Sequence, residues 1–194
     1  YIDYDVETRE IIDSGIAYNT IYDANGNVAT DITFLAEPFI PGNGEGPEDA
    51  QQAPGFGRFC SSALFEAEQF GENMGLVNTI YFTGEEDGGT ANSVGGGEWA
   101  LDVENGEFWH VPDMGRGAWE NITEIDTGTT THVAFILMDD TSPFDADDYG
   151  DEDRDDGDDE AAPLYLYVGE KNPEGDFLER NGLRGGTLYV WVSD

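Results

Sequence analysis

Two pairs of carboxylates directly follow strand-like segments, and they are the residues of this sequence best suited to binding a metal. Glu85 and Glu86 end one such segment, and Asp139 and Asp140 end another, Val133–Met138. Hard cations such as Ca²⁺ take about six to eight oxygen ligands, which Asp and Glu commonly supply. A strand that ended toward a central channel would aim Glu85 and Glu86 at one point and make them candidate metal ligands. A solvated acidic turn is the other interpretation of this pair.

A long acidic segment continues from the second pair, with thirteen Asp and Glu among the 22 residues of 139–160. From Asp145 onward it matches a calcium loop in part, with Tyr149 at the fifth position and Asp rather than Glu at the twelfth. The candidate structural calcium ligands are Asp145, Asp147, Asp151, Asp153 and Asp156. Two interpretations stay open for this insert, 139–162: a loop ordered by calcium, or a solvated acidic connection between two strands.

The chain has one cysteine, Cys60, which excludes an internal disulfide framework and a multi-cysteine zinc site. Its thiol is either a small buried apolar group or, because Arg58 lies close in sequence, a thiolate that binds a metal. Glu120 follows a glycine-rich segment and is either an inward-facing ligand or a rim residue. We expect His110 and His132 to be packed or surface side chains instead of ligands.

Strand signals dominate the sequence. Short runs rich in β-branched and aromatic residues, separated by Gly, Asn, Asp and Pro, predict strands at 16–22, 28–35, 79–83, 99–103, 107–111, 133–138, 164–168 and 187–192. Asn25-Gly26 and Asn105-Gly106 lie between such runs and are typical of tight hairpins. The residue types at 61–70 allow one short helix, and 37–57 reads as a long loop rich in Gly and Pro.

A weak internal repeat organises these strands. A strand that ends in an acidic pair occurs at 80–87 and again at 133–140, each time followed by a Gly- and Asp-rich loop and a further strand. Units of about 40–50 residues built from antiparallel strands are typical of propeller blades. We therefore predict an all-β fold in which residues 1–194 are one segment, about three antiparallel β-propeller blades of a larger propeller. A β-sandwich is the alternative.

The net charge of the chain limits the classes of partner that it can bind. It carries 43 Asp and Glu against 7 Lys and Arg, a formal net charge of −36. Nucleic acids and anionic membranes are bound by clustered cations, so the charge argues against both partners. Membrane insertion is not expected either, because the longest apolar run is Val133–Met138, far below the roughly 20 residues of a membrane helix. Bound cations or a salty, marine or hypersaline medium would offset the self-repulsion of so many carboxylates.

Five short motifs, taken in order, resemble the PhoX-type alkaline phosphatase family. They are Arg58-Phe59-Cys60-Ser61, Phe82-Thr-Gly-Glu85-Glu86-Asp87-Gly-Gly, Gly115-Arg116-Gly-Ala-Trp119-Glu120-Asn121, Phe135-Ile-Leu-Met-Asp139-Asp140 and Leu164-Tyr165-Leu-Tyr167. The resemblance covers roughly residues 55–194, and it places this chain in the middle of a longer secreted β-propeller. The chain departs from the family pattern in two places. Ser61–Val77 replace the Gly-Gly and Thr-Pro-Trp-Gly stretch that the family usually has between the cysteine and the glutamate pair, and Trp119 stands where the family has His before the glutamate.

The resemblance implies a phosphomonoester hydrolase with iron and calcium at its site. It implies that Cys60 binds iron, and that Glu85 or Glu86, Glu120, and Asp139 or Asp140 supply the carboxylate ligands. A chain that begins at Tyr1 without a leader would then be a mature product or a fragment, in the periplasm or outside the cell. The remaining propeller segments, or further copies of the chain, would be its protein partners.

Two other functions are consistent with the residues. The first is a non-catalytic, calcium-binding extracellular protein of structural or surface type, in which the acids lie on loops and Cys60 lies in a core. The second is an acidic nucleic-acid mimic or cation buffer, which leaves the aromatic strand pattern unexplained. Convergence of Cys60, the Glu85–Glu86 pair and Glu120 is the feature that separates the phosphatase from the structural protein.

Overall fold

The computed structural model describes residues 1–29, 56, 59–86, 96–140 and 163–192. Within these ranges the chain is mostly β-structure. The strands are β1 Ile2–Asp5, β2 Glu10–Ser14, β3 Thr20–Tyr22, β4 Ala63–Phe65, β5 Ile80–Gly84, β6 Gly96–Asp102, β7 Glu107–His110, β8 Arg116–Gly117, β9 Trp119–Ile125, β10 His132–Asp139, β11 Leu164–Glu170 and β12 Thr187–Val190. The helix α1, Phe177–Arg180, lies between β11 and β12, and a 3-10 turn, Pro112–Met114, follows β7.

Two antiparallel meanders of four strands make up most of the structure. The first runs β4-β5-β6-β7 in neighbouring order, and the second runs β9-β10-β11-β12. Strand β3 adds to the first sheet by parallel pairing with β7, and β8 pairs with the beginning of β6. The hairpin β1-β2 stands apart as a two-stranded sheet. The prediction of an all-β, antiparallel fold is therefore confirmed, while the described residues close neither a barrel nor a propeller.

The internal repeat corresponds to these two meanders. Glu85 and Glu86 follow β5 in the first sheet, and Asp139 and Asp140 stand at the end of β10 in the second. In each sheet the acid-ended strand is second in the order and pairs with the strand before it and the strand after it. The two copies of the repeated motif therefore occupy the same position in their sheets.

Strand β6 is buried at every position because both of its faces are covered. On one face Ala100 packs in the main core with aromatic residues of both sheets, including Phe82, Phe135 and Tyr167. On the other face Trp99 packs in a second cluster with Leu101 and Phe108. A strand that is covered on both faces does not show the alternation of buried and exposed residues that is typical of a strand with one face in solvent.

Both hairpin predictions describe local structure correctly. Gly26 and Gly106 have φ of 79° and 67°, the left-handed backbone that glycine adopts at little cost. Strands β6 and β7 pair across the second turn, with Asp102 opposite Glu107. At the first turn Tyr22 pairs with Val28, and residues from 30 onward in that predicted strand lie outside the described residues.

The short helix that the residue types at 61–70 allow does not form. Ala63–Phe65 form β4, because pairing with β5 and burial of Phe65 outweigh the helix propensity of these residues. The helix that does form, α1, is held by a capping box: the Asp176 carboxylate accepts from the Glu179 N–H, and the Glu179 carboxylate accepts from the Asp176 N–H. Except for Phe56, the predicted loop 37–57 lies outside the described residues.

Candidate metal centre

Three of the predicted ligands converge at the ends of the sheets. Glu86, Glu120 and Asp140 each offer a carboxylate oxygen, and these three oxygens lie within 4.8 Å of one another. We call these residues the carboxylate trio. Glu120 and Asp140 are exposed and Glu86 is half-buried, so the trio lies at the surface. The three residues come from β9 and from the residues that directly follow β5 and β10.

The backbone around Ala118 brings the trio together. Ala118 forms an antiparallel bridge with Glu86, and its carbonyl accepts from the Asp140 N–H at 2.9 Å. One residue later the Trp119 N–H donates to the Glu85 carbonyl at 3.2 Å. The start of β9 is therefore bound on one side to the end of β5 and on the other to the end of β10. These backbone bonds fix the position of the Glu120 backbone relative to the two acidic pairs.

The first acid of each pair supports the backbone instead of joining the trio. The Glu85 carboxylate accepts from the Gly97 N–H at 2.9 Å and from the Trp99 indole N–H at 3.0 Å. The Asp139 carboxylate accepts from the Ala118 N–H at 3.0 Å. The sequence left open which member of each pair is the ligand. The structure places the second member, Glu86 or Asp140, in the trio in both cases.

Cys60 lies at the same edge of the first sheet, although it is not part of the trio. Its neighbour Phe59 pairs with Glu85, and the hydroxyl of Ser61 accepts from the Gly84 N–H at 2.7 Å. The cysteine is exposed, which is inconsistent with a thiol packed in a core. The segment that carries Cys60 therefore borders the trio through the Glu85 backbone.

The other predicted site residues fall into two groups. His110 is buried in β7 against Trp99, and His132 is half-buried at the start of β10. Neither belongs to the trio. The candidate calcium ligands Asp145, Asp147, Asp151, Asp153 and Asp156 lie outside the described residues.

Two buried ionisable groups, Glu98 and His110, lie in β6 and β7 of the first sheet. Glu98 in β6 is fully buried, and this burial, with the nearby charge of Glu85, raises the pKa of its carboxyl well above the usual value. Burial lowers the pKa of His110 to about 4, and the positive charge of Arg116 acts in the same direction. In both groups burial favours the neutral form over the charged form. The sequence analysis did not identify Glu98, since nothing in its local pattern distinguishes it from a surface glutamate.

We predict that His110 makes the protein less stable as the pH falls from about 6.5 to about 4. In this window the histidine of the unfolded chain binds a proton, while the buried imidazole does not, because its pKa is about 4. The expected loss is about 2–3 kcal/mol of unfolding free energy. Urea unfolding of His110→Gln at pH 7 and pH 4.5 should show a smaller loss than the wild type.

Glu98 contributes with the opposite sign, because a raised pKa gives stability at acid pH that is lost as the pH rises above its unfolded value of about 4.5. Since Glu98 is present in both proteins, the comparison isolates the histidine. The matched control is His132→Gln, which should follow the wild type. Equal losses in the wild type and in His110→Gln would contradict the assignment.

The trio has the chemistry of a site for a hard cation. Three carboxylate oxygens within 4.8 Å of one another are spaced for ligands around one ion with bonds of about 2.4 Å. An all-oxygen set favours Ca²⁺, Mg²⁺ or Mn²⁺ over softer metals. Calcium needs about six to eight ligands, so water or substrate oxygens would complete the shell. The surface position of the trio keeps these further ligand positions accessible.

Comparison with models of known protein families, with curated proteins and with solved structures finds no match for this chain. In the described residues the single helix is one turn long, and no helix has the length and apolar character to span a membrane.

Proposed function

We propose that this chain is part of a secreted, PhoX-like metal-dependent phosphatase, and that Glu86, Glu120 and Asp140 bind its catalytic cation. The observation that carries the proposal is the convergence of the motifs behind the resemblance. The Cys60, Glu86, Glu120 and Asp140 segments meet through backbone pairing around Glu85 and Ala118. The fifth motif joins them through the edge contact of Tyr165 with Trp119, whose ring centroids are 5.6 Å apart.

The two four-stranded meanders are, in this proposal, two blades of a larger propeller. Propeller blades are four-stranded antiparallel sheets that pack face to face around a central channel. Here the main core contains residues of both sheets, and both acid-ended strands deliver their carboxylates to one edge. The remaining blades would come from further parts of the protein or from partners.

The charge of the chain makes cation binding essential to this function. A phosphate dianion is repelled by carboxylates, and three of them lie together at the site. A cation bound there would neutralise this charge and act as a Lewis acid on the phosphoryl oxygens. The part of the chain's own residues is to hold the ion: Glu86, Glu120 and Asp140 as ligands, with Glu85 and Asp139 fixing the backbone behind them. Cys60, at the border of the trio, is the proposed ligand of an iron ion, as the resemblance implies.

We predict that the protein hydrolyses p-nitrophenyl phosphate at alkaline pH only when it is loaded with metal. Removal of metal with EDTA should abolish the rate, and calcium with iron should restore it. Cys60→Ser should lower the iron content and the rate together, while the exposed residue Ser14, substituted as Ser14→Ala, serves as a matched control. An unchanged iron content and rate in Cys60→Ser would refute the iron assignment.

A second candidate is a non-catalytic, calcium-binding extracellular protein of structural or surface type. The exposure of Glu120 and Asp140 favours it, because carboxylates on loops and strand ends at the surface often bind calcium for stability alone. In that case calcium would raise the melting temperature through the same trio, and the metal-loaded protein would show no phosphatase rate. The assay and the melting curve together distinguish the two functions.

A further inference from the structure

Glu98 has a buried carboxyl group whose two oxygens have no hydrogen-bond partner. Its side chain has a relative exposure of 0%. Buried carboxyl groups in folded proteins are almost always hydrogen-bonded or bound to a cation, because leaving the oxygens without a partner costs several kcal/mol. An unpartnered, fully buried carboxyl group therefore points to a ligand that the protein atoms alone do not provide.

The surroundings of this carboxyl group contain a second oxygen. One Glu98 oxygen and the Ser61 hydroxyl oxygen each lie 2.8 Å from the point where a Cβ on Gly84 would stand. The two oxygens are therefore no more than twice that distance apart. Two ligand oxygens of one calcium ion lie up to about 5 Å apart, so these two neighbouring oxygens are candidate ligands of one ion.

Gly84 makes room for this arrangement. Glu98 lies directly opposite Gly84 across the β5-β6 pair, and a Cβ there would also lie 2.5 Å from the Trp119 Cβ. Because glycine has no Cβ, the Glu98 oxygen and the Ser61 hydroxyl oxygen pack directly against Gly84, where a Cβ would crowd both of them.

We propose that Glu98 and Ser61 form a second, buried cation site between the β5-β6 pair and the segment that carries Cys60. The expected occupant is an oxygen-seeking divalent cation such as Ca²⁺, with a carboxylate and a hydroxyl as its protein ligands. The inference extends the metal binding of the proposed function to residues that the sequence analysis did not identify, but it does not require that the trio be catalytic.

Protonation stabilises the buried Glu98 carboxyl group less well than a bound divalent cation would. Protonation removes the charge that burial disfavours, and the raised pKa of Glu98 reflects this. The protonated group would still lack an acceptor for its O–H, since neither of its oxygens has a partner. A divalent cation binds both carboxylate oxygens at once and offsets the neighbouring negative charge of Glu85.

The test counts bound calcium per chain by equilibrium dialysis and elemental analysis. Dialysis in about 1 M KCl, where the screening length is about 3 Å, suppresses loosely held counter-ions. Glu98→Gln should bind one calcium fewer than the wild type. Ser61→Ala should retain the fold and bind that ion about tenfold more weakly, so it carries the test if Glu98→Gln does not fold.

The matched control is Glu124→Gln, because Glu124 is also a buried glutamate with an unpartnered oxygen, in β9 beside Gln69. It should bind as many calcium ions as the wild type. A triple variant of the trio should lose its own calcium and keep the one at Glu98, which separates failure of the trio from failure of this site. If Glu98→Gln and Ser61→Ala both bind calcium as the wild type does, the carboxyl group is a neutral acid with a buried water and the inference is overturned.

Discussion

The triple variant Glu86→Gln, Glu120→Gln, Asp140→Asn is expected to bind calcium at the trio more than 100-fold more weakly than the wild type. Each substitution replaces a charged ligand oxygen by an amide of nearly the same size, and calcium affinity depends strongly on the number of charged ligands. Because Glu85 and Asp139 keep their hydrogen bonds to Gly97 and Ala118, the fold around the site should stay intact.

The same variant should lose the calcium-dependent gain in stability. In the wild type, calcium at about 100 times its dissociation constant should add about 2.7 kcal/mol of unfolding free energy. For a domain of this size that corresponds to a rise in melting temperature of about 5–10 °C. Without calcium the variant should melt at or slightly above the wild-type temperature, because three mutually repelling carboxylates have been removed.

A charge-matched control separates ligation from general screening. The triple variant Glu72→Gln, Glu104→Gln, Glu174→Gln also removes three negative charges, from exposed positions outside the trio. It should keep the wild-type response to calcium. Calorimetric titration with CaCl₂ and thermal unfolding with and without calcium measure both effects. If the two triple variants lose calcium response equally, calcium acts as a diffuse counter-ion and the trio is not a site.

The second large effect is expected for Asn181→Ala. This substitution should lower the free energy of unfolding by about 3–4 kcal/mol. Its side chain is fully buried and accepts from the N–H groups of Val77 and Asn78 at 2.9 and 3.0 Å. It also donates to the Phe177 carbonyl at 2.8 Å and to the Asn78 side-chain oxygen at 3.0 Å. Each buried N–H left without an acceptor costs about 1–3 kcal/mol.

These bonds join the end of α1 to the segment that leads into β5, so their loss should weaken the packing of the second meander's helix on the first sheet. Urea unfolding at neutral pH measures the change. Asn172→Ala, at an exposed asparagine of the same connection, should change stability by less than about 1 kcal/mol. A loss below that value for Asn181→Ala would show that the network contributes little to folding.

Much of the strand structure could be predicted because its causes are local. Asn105-Gly106 specifies a turn whose backbone only glycine adopts readily, and the β-branched and aromatic residues of 133–138 suit a buried strand. The Glu85–Glu86 pair could be recognised as a candidate ligand pair because it follows a strand directly, whereas the ligand role of Asp139 and Asp140 rests on the family resemblance. These features depend on neighbours in sequence.

The rest depends on contacts between distant residues. The register between Met138 and Asp139 is irregular where β10 pairs with β9, directly before Asp140 of the trio, and no local sequence pattern predicts this irregularity. The parallel pairing of β3 with β7 joins residues 87 positions apart, for example Tyr22 and Trp109. Likewise, the burial of Glu98 follows from coverage of both faces of β6, which a single strand's sequence does not show.

The capping box of α1 is a signal that was present in the sequence and missed. Asp176 and Glu179 have the spacing at which each side chain reaches the other's backbone N–H, and a short apolar pair, Phe177 and Leu178, lies between them. The sequence analysis considered a helix only at 61–70, where helix-forming residues are frequent. Propensity alone was outweighed there by strand pairing with β5.

The most direct test of the account is an anomalous-scattering map from crystals of the wild-type protein grown with calcium or with terbium as its substitute. The account predicts a peak about 2.4 Å from one carboxylate oxygen each of Glu86, Glu120 and Asp140. A well-ordered site with no peak between these three residues at saturating cation would contradict the central claim.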